Sequence, residues 1–294
     1  VKQQMSLYLL FYRLLLKTLE IIPYKALFIG GKFLAFIFCL LPNNQRKISL
    51  ANLKHAFPYK TKEDIDILLR DSLFHSIMTF LESGLVWGGN GKSNKDSFLE
   101  LRNFESVEKS LKLGIGVLLF TPHLGNIEVL INHLGETTAC TIPYTKPKNK
   151  YLDKIITESR NSSGVSMVNT DTSGIKKILL ELKAGNVVAI ASDQVPKKSS
   201  GILSTFFEQE CYSMTLLPKL QNKTNCSAHL MYCERKTNGR GFCLHFKDKI
   251  ELSADVQSGV DKMNYEFEKC IMNIPGQYSW EYKKFKRTGS GHIY

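Results

Sequence analysis

The sequence lacks the cysteine patterns of a disulfide framework or a zinc ribbon. Its 7 cysteines are scattered and odd in number, and none belongs to a Cys-x-x-Cys pair, which predicts a reducing compartment. Internal repeats and low-complexity segments are also missing, and an apolar content of 43% excludes a disordered chain. The 294 residues are enough for one α/β domain or two small ones.

Several nucleotide, hydrolase and metal motifs are incomplete or missing. The Gly-Lys-Ser at residues 91–93 lacks the first glycine of a phosphate-binding loop, because Val86 occupies that position, and it follows a predicted helix. Gly114-Ile-Gly116 has Leu119 where a dinucleotide fingerprint needs its third glycine. There is no Gly-x-Ser-x-Gly and no His-Glu-x-x-His. We therefore expect no cofactor, no bound metal and no serine nucleophile.

The chain has fewer acidic residues than basic ones. The chain carries 39 lysines and arginines against 27 aspartates and glutamates, a formal charge of +12 with a pI of about 9.3. Such a surplus indicates an anionic partner, which can be nucleic acid, acidic lipid or acidic protein. The aromatic residues concentrate in the apolar N-terminal stretch and in predicted buried runs, not between the lysine clusters, and this disfavours nucleic acid.

The segment from Met5 to Leu41 is mostly apolar, yet it contains no uncharged run of the ~20 residues that a spanning helix needs. No small-residue cleavage site follows it, which disfavours a cleaved signal peptide. We predict two helices, broken near Pro23, that anchor the chain at a membrane interface. A buried helical hairpin, or a tilted span with Lys32 snorkelling, also fits. The predicted domains are this anchor, residues 1–41, and residues 42–294.

Two further helices are predicted before the sequence changes character. Residues 46–58 form an amphipathic helix that Pro58 stops. Thr61 opens the next with a capping-box signature, and apolar residues at helical spacing carry it to about Trp87. A polar loop from Gly88 to Ser97 closes this helical region.

From Phe98 onward, predicted strands alternate with helices. Short apolar or alternating runs predict strands at residues 116–120, 137–142, 186–192, 226–233 and 242–246, with the last two nearer a sheet edge. Residues 173–183 form an amphipathic helix between two of these runs. This order predicts an α/β fold with a mixed, partly parallel sheet flanked by helices.

One constellation carries chemistry, Thr121-Pro-His-Leu-Gly-Asn-Ile-Glu128, directly after a predicted buried strand. His123 and Glu128 would lie on different faces of a regular helix, so they can meet only if His123 precedes the helix. Pro122 and Gly125 suit a turn there. A carboxylate on one imidazole nitrogen would leave the other nitrogen as a base for a substrate hydroxyl. In the structural alternative, His123 caps the helix and Glu128 is a surface residue.

This constellation resembles the His-x4-Asp/Glu motif of the glycerolipid acyltransferase superfamily. It is most similar to the His-x-Gly-Asn-Trp-Glu form of the late acyltransferases of lipid A synthesis. Further blocks resemble that family in the same order across residues 46–287, namely Asn52–Pro58, Lys148–Asp153 with Arg160, Asp193-Gln194 with Gly201 and Phe206-Phe207, and Tyr278–Lys286. Five blocks in one order form a specific signature, although each block alone is weakly specific.

The resemblance implies transfer of a fatty acyl chain from acyl carrier protein, or another acyl thioester, to a hydroxyl of a lipid A precursor. His123 would act as the general base, oriented by Glu128, and no acyl-enzyme would form. The candidates for the oxyanion, the acceptor or the pocket wall are Arg160, Asn126, Gly125, Asp193, Gln194, Phe206 and Phe207. Plain structural roles stay open for them, including a surface cation, a strand-end cap and ordinary core.

The implied partners are acyl carrier protein, a phosphorylated glycolipid and the membrane surface, on the cytoplasmic side of the cell inner membrane. Basic residues that would meet them, unless they form solvated faces, are Lys146, Lys148, Lys150, Lys154, Lys283, Lys284, Lys286 and Arg287. The chain departs from the family pattern at Ile127, at Glu208 and at residues 203–205, which leaves substrate identity open. The alternatives are acylation of another glycolipid or lysophospholipid, and a non-enzymatic basic protein that binds membrane or nucleic acid.

Overall fold

The computed structural model describes residues 2–88, 98–288 and 293–294, so most of the predicted loop Gly88–Ser97 and the Gly-Lys-Ser sequence lie outside the described residues. The helices are α1 Lys2–Ile21, α2 Tyr24–Leu40, α3 Asn44–Ala56, α4 Lys62–Leu81, α5 Ser83–Trp87, α6 Phe104–Lys112, α7 Ile127–Thr137, α8 Lys150–Ser162, α9 Thr172–Lys183, α10 Leu216–Thr224 and α11 Val256–Asn273. The strands are β1 Leu99–Arg102, β2 Val117–Thr121, β3 Cys140–Tyr144, β4 Ser166–Asn169, β5 Val187–Ala191, β6 Gly201–Phe206, β7 Gln209–Met214, β8 Ser227–Arg235 and β9 Phe242–Lys249.

The predicted α/β fold with a mixed, partly parallel sheet is confirmed, and most of the neighbouring strands are parallel. Seven strands lie in the order β1-β9-β8-β2-β5-β3-β4, and β6 pairs with β7 in a separate hairpin. Within the seven-stranded sheet β8 and β9 are antiparallel, whereas the other neighbouring pairs are parallel. Buried side chains cover both faces of the sheet, and helices pack on each. The carboxyl ends of β2, β5 and β8 therefore lie side by side at one edge.

Two strand predictions need correction. Residues 137–139 are not part of a strand, because α7 continues to Thr137 and β3 begins only at Cys140. The run at residues 226–233 is not near a sheet edge. It forms β8, which is paired on both sides and almost fully buried, since β9 and β1 extend the sheet beyond it.

The helices before the sheet follow the local sequence signals. Asn43 caps α3, which ends at Ala56, two residues before Pro58. Thr61 and Asp64 form the predicted capping box at the start of α4. The predicted continuation to Trp87 is interrupted at Glu82, so that α4 ends at Leu81 and the short α5 follows.

The apolar N-terminal segment forms the two predicted helices, α1 and α2, on either side of Pro23. One side of this pair packs on α4 through a buried cluster that includes Leu19, Leu27 and Met78. The two helices also expose large apolar side chains, among them Leu7, Phe11, Leu14, Ile21, Ile29, Phe33, Phe36 and Leu40. Among the described residues no single helix suffices to cross a bilayer, and α1 and α2 reach the required length and apolarity only as a pair bent by 113°.

Candidate active site

The turn between β2 and α7 places the side chains of the motif at the carboxyl edge of the sheet. His123 lies in this turn, as predicted, and the side chain of Asn126 caps α7 by accepting from the Glu128 N–H at 3.0 Å. Gly125 has a φ of +68°, and a Cβ at this position would lie 1.6 Å from the Cys233 carbonyl oxygen. Glycine is therefore required where the turn passes over β8.

His123 is held by Asp193, which follows β5 on the neighbouring strand. The ring Nδ1 lies 2.7 Å from Asp193 Oδ1, and the His123 backbone N–H donates to Oδ2 at 3.0 Å. An ionised carboxylate can only accept, so Nδ1 carries the proton and Nε2 is the free acceptor. The imidazole is 29% exposed, whereas the Asp193 carboxylate is buried. One nitrogen is thus fixed, and the other is positioned for a proton transfer.

The sequence-based assignment of Glu128 as the partner of His123 is wrong in this geometry. Glu128 lies in the first turn of α7 and forms an ion pair with Arg160 of α8, with Oε1 2.5 Å from the guanidinium and Oε2 3.3 Å from Nε. Its Oε2 also accepts from the indole N–H of Trp87 at 3.1 Å. Both carboxylate oxygens are occupied there, so Glu128 orients Arg160 and the start of α7. The alternative in which Glu128 is a surface residue is equally wrong.

The pKa values of the pair follow from this arrangement. Burial by itself would lower the pKa of His123, but the charge and hydrogen bond of Asp193 outweigh it and raise the pKa above its usual value. Burial would likewise raise the pKa of Asp193, but His123 outweighs it and lowers the pKa. The Asp193 carboxylate also interacts with the hydroxyl of Tyr278, whose pKa is raised by burial and by that carboxylate.

The three candidates for an oxyanion donor already have partners. The Gly125 N–H donates to the Gln277 carbonyl at 2.9 Å, and the Asn126 amide donates to Glu82 at 2.8 Å. Arg160 is 8% exposed, is paired with Glu128, and lies over the Tyr144 ring. These contacts shape the turn, and the assignment of an oxyanion donor among the three stays a prediction.

Three other predicted site residues have clear positions. Gln194 is exposed, and its amide nitrogen lies 3.4 Å from His123 Nε2, on the side where a substrate would approach. Phe206 and Phe207 are buried in the core, where Phe207 packs on Phe57 and Trp280, and Phe206 packs on Tyr278 and Phe285. Phe207 and Glu208 form the tight turn of this hairpin, with φ values of 52° and 60°.

A buried network behind the turn was missed by the sequence analysis. Glu82, at the break between α4 and α5, pairs with Arg235 at the carboxyl end of β8, and both side chains are fully buried. Glu82 also accepts from the hydroxyl of Tyr24 at 2.6 Å and from the Asn126 amide. Burying both charges makes this network costly to break from one side. It ties α2, α4 and β8 to the cap of α7.

The C-terminal segment, Tyr278 to Arg287, also contributes to the site. The Ser279 N–H donates to the His123 carbonyl at 3.0 Å, and the buried Lys284 ammonium donates to the Asp193 carbonyl at 2.7 Å. Lys284 is therefore a positioning group and not part of a basic surface. Burial raises the pKa of Glu281, whose Oε2 has no hydrogen-bond partner among the described residues. Only the family resemblance of this segment could have indicated its proximity to His123.

Metal-ligand atoms converge at one place in the described part of the chain. Glu234, Cys243 and His245, on β8 and β9, bring their potential ligand atoms within 4.8 Å of one another. The cross-strand pairing produces this cluster, which has no signature in the linear sequence. His245 Nε2 lies 2.7 Å from the Glu234 carboxylate, so these two side chains satisfy each other without an ion.

The α/β fold carries its candidate site at the carboxyl edge of the sheet, around His123, and comparison with known proteins shows that the protein is an acyltransferase. Over residues 3–287 the chain matches the family described as bacterial lipid A biosynthesis acyltransferase, and it belongs to that family. The match covers the His123 turn, Asp193 and the C-terminal segment alike.

Individual relatives have low sequence identity to this chain but align with it over most of their length. The lipid A biosynthesis palmitoleoyltransferase of Escherichia coli K12 is 23% identical over 273 residues, which cover 92% of this chain and 88% of the relative. The lauroyltransferase of the same organism is 24% identical with the same coverage of both chains. A lipid A biosynthesis acyltransferase of Haemophilus influenzae is 21% identical over 238 residues, covering 80% and 74%.

Proposed function

We propose that the protein transfers a fatty acyl chain from an acyl thioester, with acyl carrier protein as the carrier, to a hydroxyl of a phosphorylated lipid A precursor. The observation that carries this proposal is the imidazole of His123, with Nδ1 fixed on buried Asp193 and Nε2 left as a part-exposed acceptor. Membership of the family supports the acyl chain and the lipid A acceptor as the reacting groups.

In the proposed mechanism, His123 Nε2 removes the proton of the acceptor hydroxyl as its oxygen attacks the thioester carbonyl carbon. Asp193 keeps the ring in the reactive tautomer and stabilises the imidazolium that forms. The tetrahedral intermediate then expels the thiolate, which takes the proton back from Nε2, so an ester and a free thiol result. Glu128 and Arg160 do not contact the reacting groups in this mechanism. They fix the start of α7 and therefore the turn that carries His123.

A membrane surface is the proposed place of action, on the cytoplasmic face of the inner membrane. The outward side chains of α1 and α2 include many exposed large apolar residues, which suit contact with a bilayer, and an acyl chain would enter most readily from there. We keep the predicted division into an anchor at residues 1–41 and a catalytic domain at residues 42–294. Packing on α4 and the Tyr24–Glu82 hydrogen bond join the two structurally.

The acidic carrier would meet basic side chains near α8. Lys146, Lys148, Lys150 and Lys154 lie at or near the start of this helix and are at least partly exposed. Lys154 lies 3.9 Å from Glu158, and that glutamate is also paired with Arg13 of α1, so part of this charge is neutralised locally. The lysines before α8 are the better candidates for a contact that strengthens at low ionic strength.

The test is acyl transfer by the purified protein in mixed micelles. Acyl carrier protein that carries a labelled acyl chain is supplied together with a lipid A precursor or with a lysophospholipid. Mass spectrometry then measures the gain of one acyl chain by the acceptor. His123→Ala should lower the rate by about 10²–10⁴-fold without changing the melting temperature or vesicle binding. Transfer only to lysophospholipid would refute the lipid A acceptor. Wild-type transfer by His123→Ala would refute the base, and full biological function without any transfer would favour a binding protein.

A further inference from the structure

A cavity of about 710 Å³ opens between α2, α4 and the carboxyl end of β8. Its apolar wall comes largely from α2 and α4 and includes Phe28, Phe36, Leu40 and Phe74. Phe36 and Leu40 also belong to the exposed apolar patch of the N-terminal helices. The cavity therefore begins at the surface that we expect to face the membrane, and it is large enough for part of a lipid.

Three cationic side chains of this cavity have no ion-pair partner among the described residues. Lys32, Arg46 and Arg70 line it, and none of the three forms an ion pair with another described residue. Arg46 and Arg70 line the cavity together with Cys39, and their charges oppose the rise that burial causes in the pKa of its thiol. Two guanidinium groups thus line one cavity, where phosphate oxygens could accept from both.

The other titratable groups of the lining offset this charge only in part. Asp66 and Asp71 are two carboxylates against the three cations, and burial raises the pKa of Asp71. Burial and the adjacent Arg235 lower the pKa of His75 to about 2, so this imidazole is neutral. Arg235 is committed to Glu82, and Lys236 lies 2.9 Å from Glu100.

The cavity lies beside the candidate active site. β8 is the parallel neighbour of β2, so Arg235 ends its strand at the same sheet edge as His123. Gln277, another lining residue, accepts the Gly125 N–H through its carbonyl and binds the Arg235 backbone through its side chain. Gln277 therefore contacts both the cavity and the turn that carries His123.

We propose that this cavity binds the phosphate-bearing end of the lipid acceptor, with Arg46 and Arg70 on the phosphate, Lys32 beside them and an acyl chain of the acceptor along α2. The inference rests on the proposed function for its occupant. In this arrangement the acceptor binds on the β8 side of His123, and the acyl donor binds on the α8 side. The reacting hydroxyl would then approach Nε2 from the direction of Gln277.

The test compares two double variants that lose the same charge. Arg46→Gln with Arg70→Gln removes both guanidinium groups, and Lys176→Gln with Lys177→Gln removes two exposed charges of α9. The first should raise the KM for the acceptor about 10–100-fold while kcat stays within about threefold, as loss of one or two charge-assisted hydrogen bonds implies. The second should leave both constants unchanged. An unchanged KM in the arginine variant would overturn the inference.

Equilibrium binding separates this inference from the proposed function. In a His123→Ala background, which cannot turn over, the acceptor should bind tightly, and removal of its phosphate or of the two arginines should weaken binding to the same extent. Phosphate-dependent binding by a wild-type protein that transfers no acyl chain would sustain the inference and refute the function. If the arginine variant loses affinity for anionic phospholipid vesicles but not for the acceptor, the occupant is a membrane headgroup and the inference fails.

Discussion

Two pairs of opposite charge lie on either side of the same short turn, and they differ in what they leave open. Of the two ring nitrogens of His123, Asp193 contacts only Nδ1, so the second one remains part-exposed beside Gln194. Glu128 holds Arg160 through both carboxylate oxygens, in a contact that is mostly buried and further closed by Trp87. The first pair can exchange a proton with a substrate, whereas the second can only fix geometry.

This difference separates catalysis from positioning within one motif. The histidine of the motif finds its carboxylate on another strand, because β2 and β5 are parallel neighbours whose carboxyl ends coincide. Glu128, the acidic residue of the motif at the start of α7, pairs with Arg160 on α8. The five-residue spacing therefore reflects the construction of the turn and not a direct contact between the two side chains.

The largest effect on activity is expected for Asp193→Asn, which tests whether the His123–Asp193 pair is the catalytic one. An amide cannot stabilise the imidazolium and permits the wrong tautomer, so kcat should fall by about 10³–10⁴-fold if Asp193 has the role proposed here. Steady-state rates of acyl transfer measure this loss. Asp193→Glu, which keeps the charge, should recover part of it. A variant with Asn at this position and near-normal kcat would show that another group orients His123.

The pH profile sharpens the same comparison. The base must be neutral to accept a proton, and its pKa is raised by Asp193, so kcat/KM of the wild type should fall on the acid side from a pH above 6.5. In Asp193→Asn, burial is the dominant remaining cause and lowers the pKa, so the acid limb should move to lower pH. An acid limb that does not move would separate the titration of His123 from Asp193.

The second largest effect is expected for Glu128→Gln. It leaves the Arg160 guanidinium largely buried without its counter-charge, which should cost about 2–3 kcal/mol in the free energy of unfolding. The displaced turn should lower kcat/KM by about 10–100-fold, with the acid limb of the pH profile unchanged. Denaturant unfolding and pH–rate profiles measure the two quantities.

A double variant provides the control for this positioning role. Glu128→Gln combined with Arg160→Gln removes both charges, and it should be no worse in activity than Glu128→Gln alone if the two residues act as a unit. Additive losses, or an acid limb that shifts with Glu128→Gln, would instead assign Glu128 to the proton transfer itself.

Local signals in the sequence predicted the helices before the sheet and five of the nine described strands, but not α6, α10, α11, β1, β4, β6 or β7. The capping box at Thr61, the break at Pro23 and the buried runs of β2 and β5 all depend on neighbouring residues, and the structure contains each of them. The placement of His123 in a turn before a helix was predictable for the same reason, since Pro122 and Gly125 act on the backbone locally.

Partners that come together through the sheet were not predictable from spacing. The pairing of His123 with Asp193 depends on which strands are neighbours, and 70 residues separate the two in the chain. The Glu82–Arg235 pair spans 153 residues and joins elements with no shared sequence signal. The sequence makes Asp193 a candidate site residue, but its distance from His123 in the chain conceals the contact between them, and the nearer Glu128 is predicted as the partner instead.

The smallest expected effect concerns Gln194, the neighbour of the free nitrogen. Its amide lies 3.4 Å from Nε2, which is too long for a strong hydrogen bond, and its side chain is exposed. Gln194→Ala should therefore change kcat by less than about tenfold and raise the KM for the acceptor, because the amide would contact substrate and not hold the ring. Gln194→Glu should raise the pKa of His123 further and shift the acid limb upward. A loss as large as that of Asp193→Asn would mean that Gln194 helps to hold the imidazole. Both ring nitrogens of His123 would then be engaged, as both carboxylate oxygens of Glu128 are.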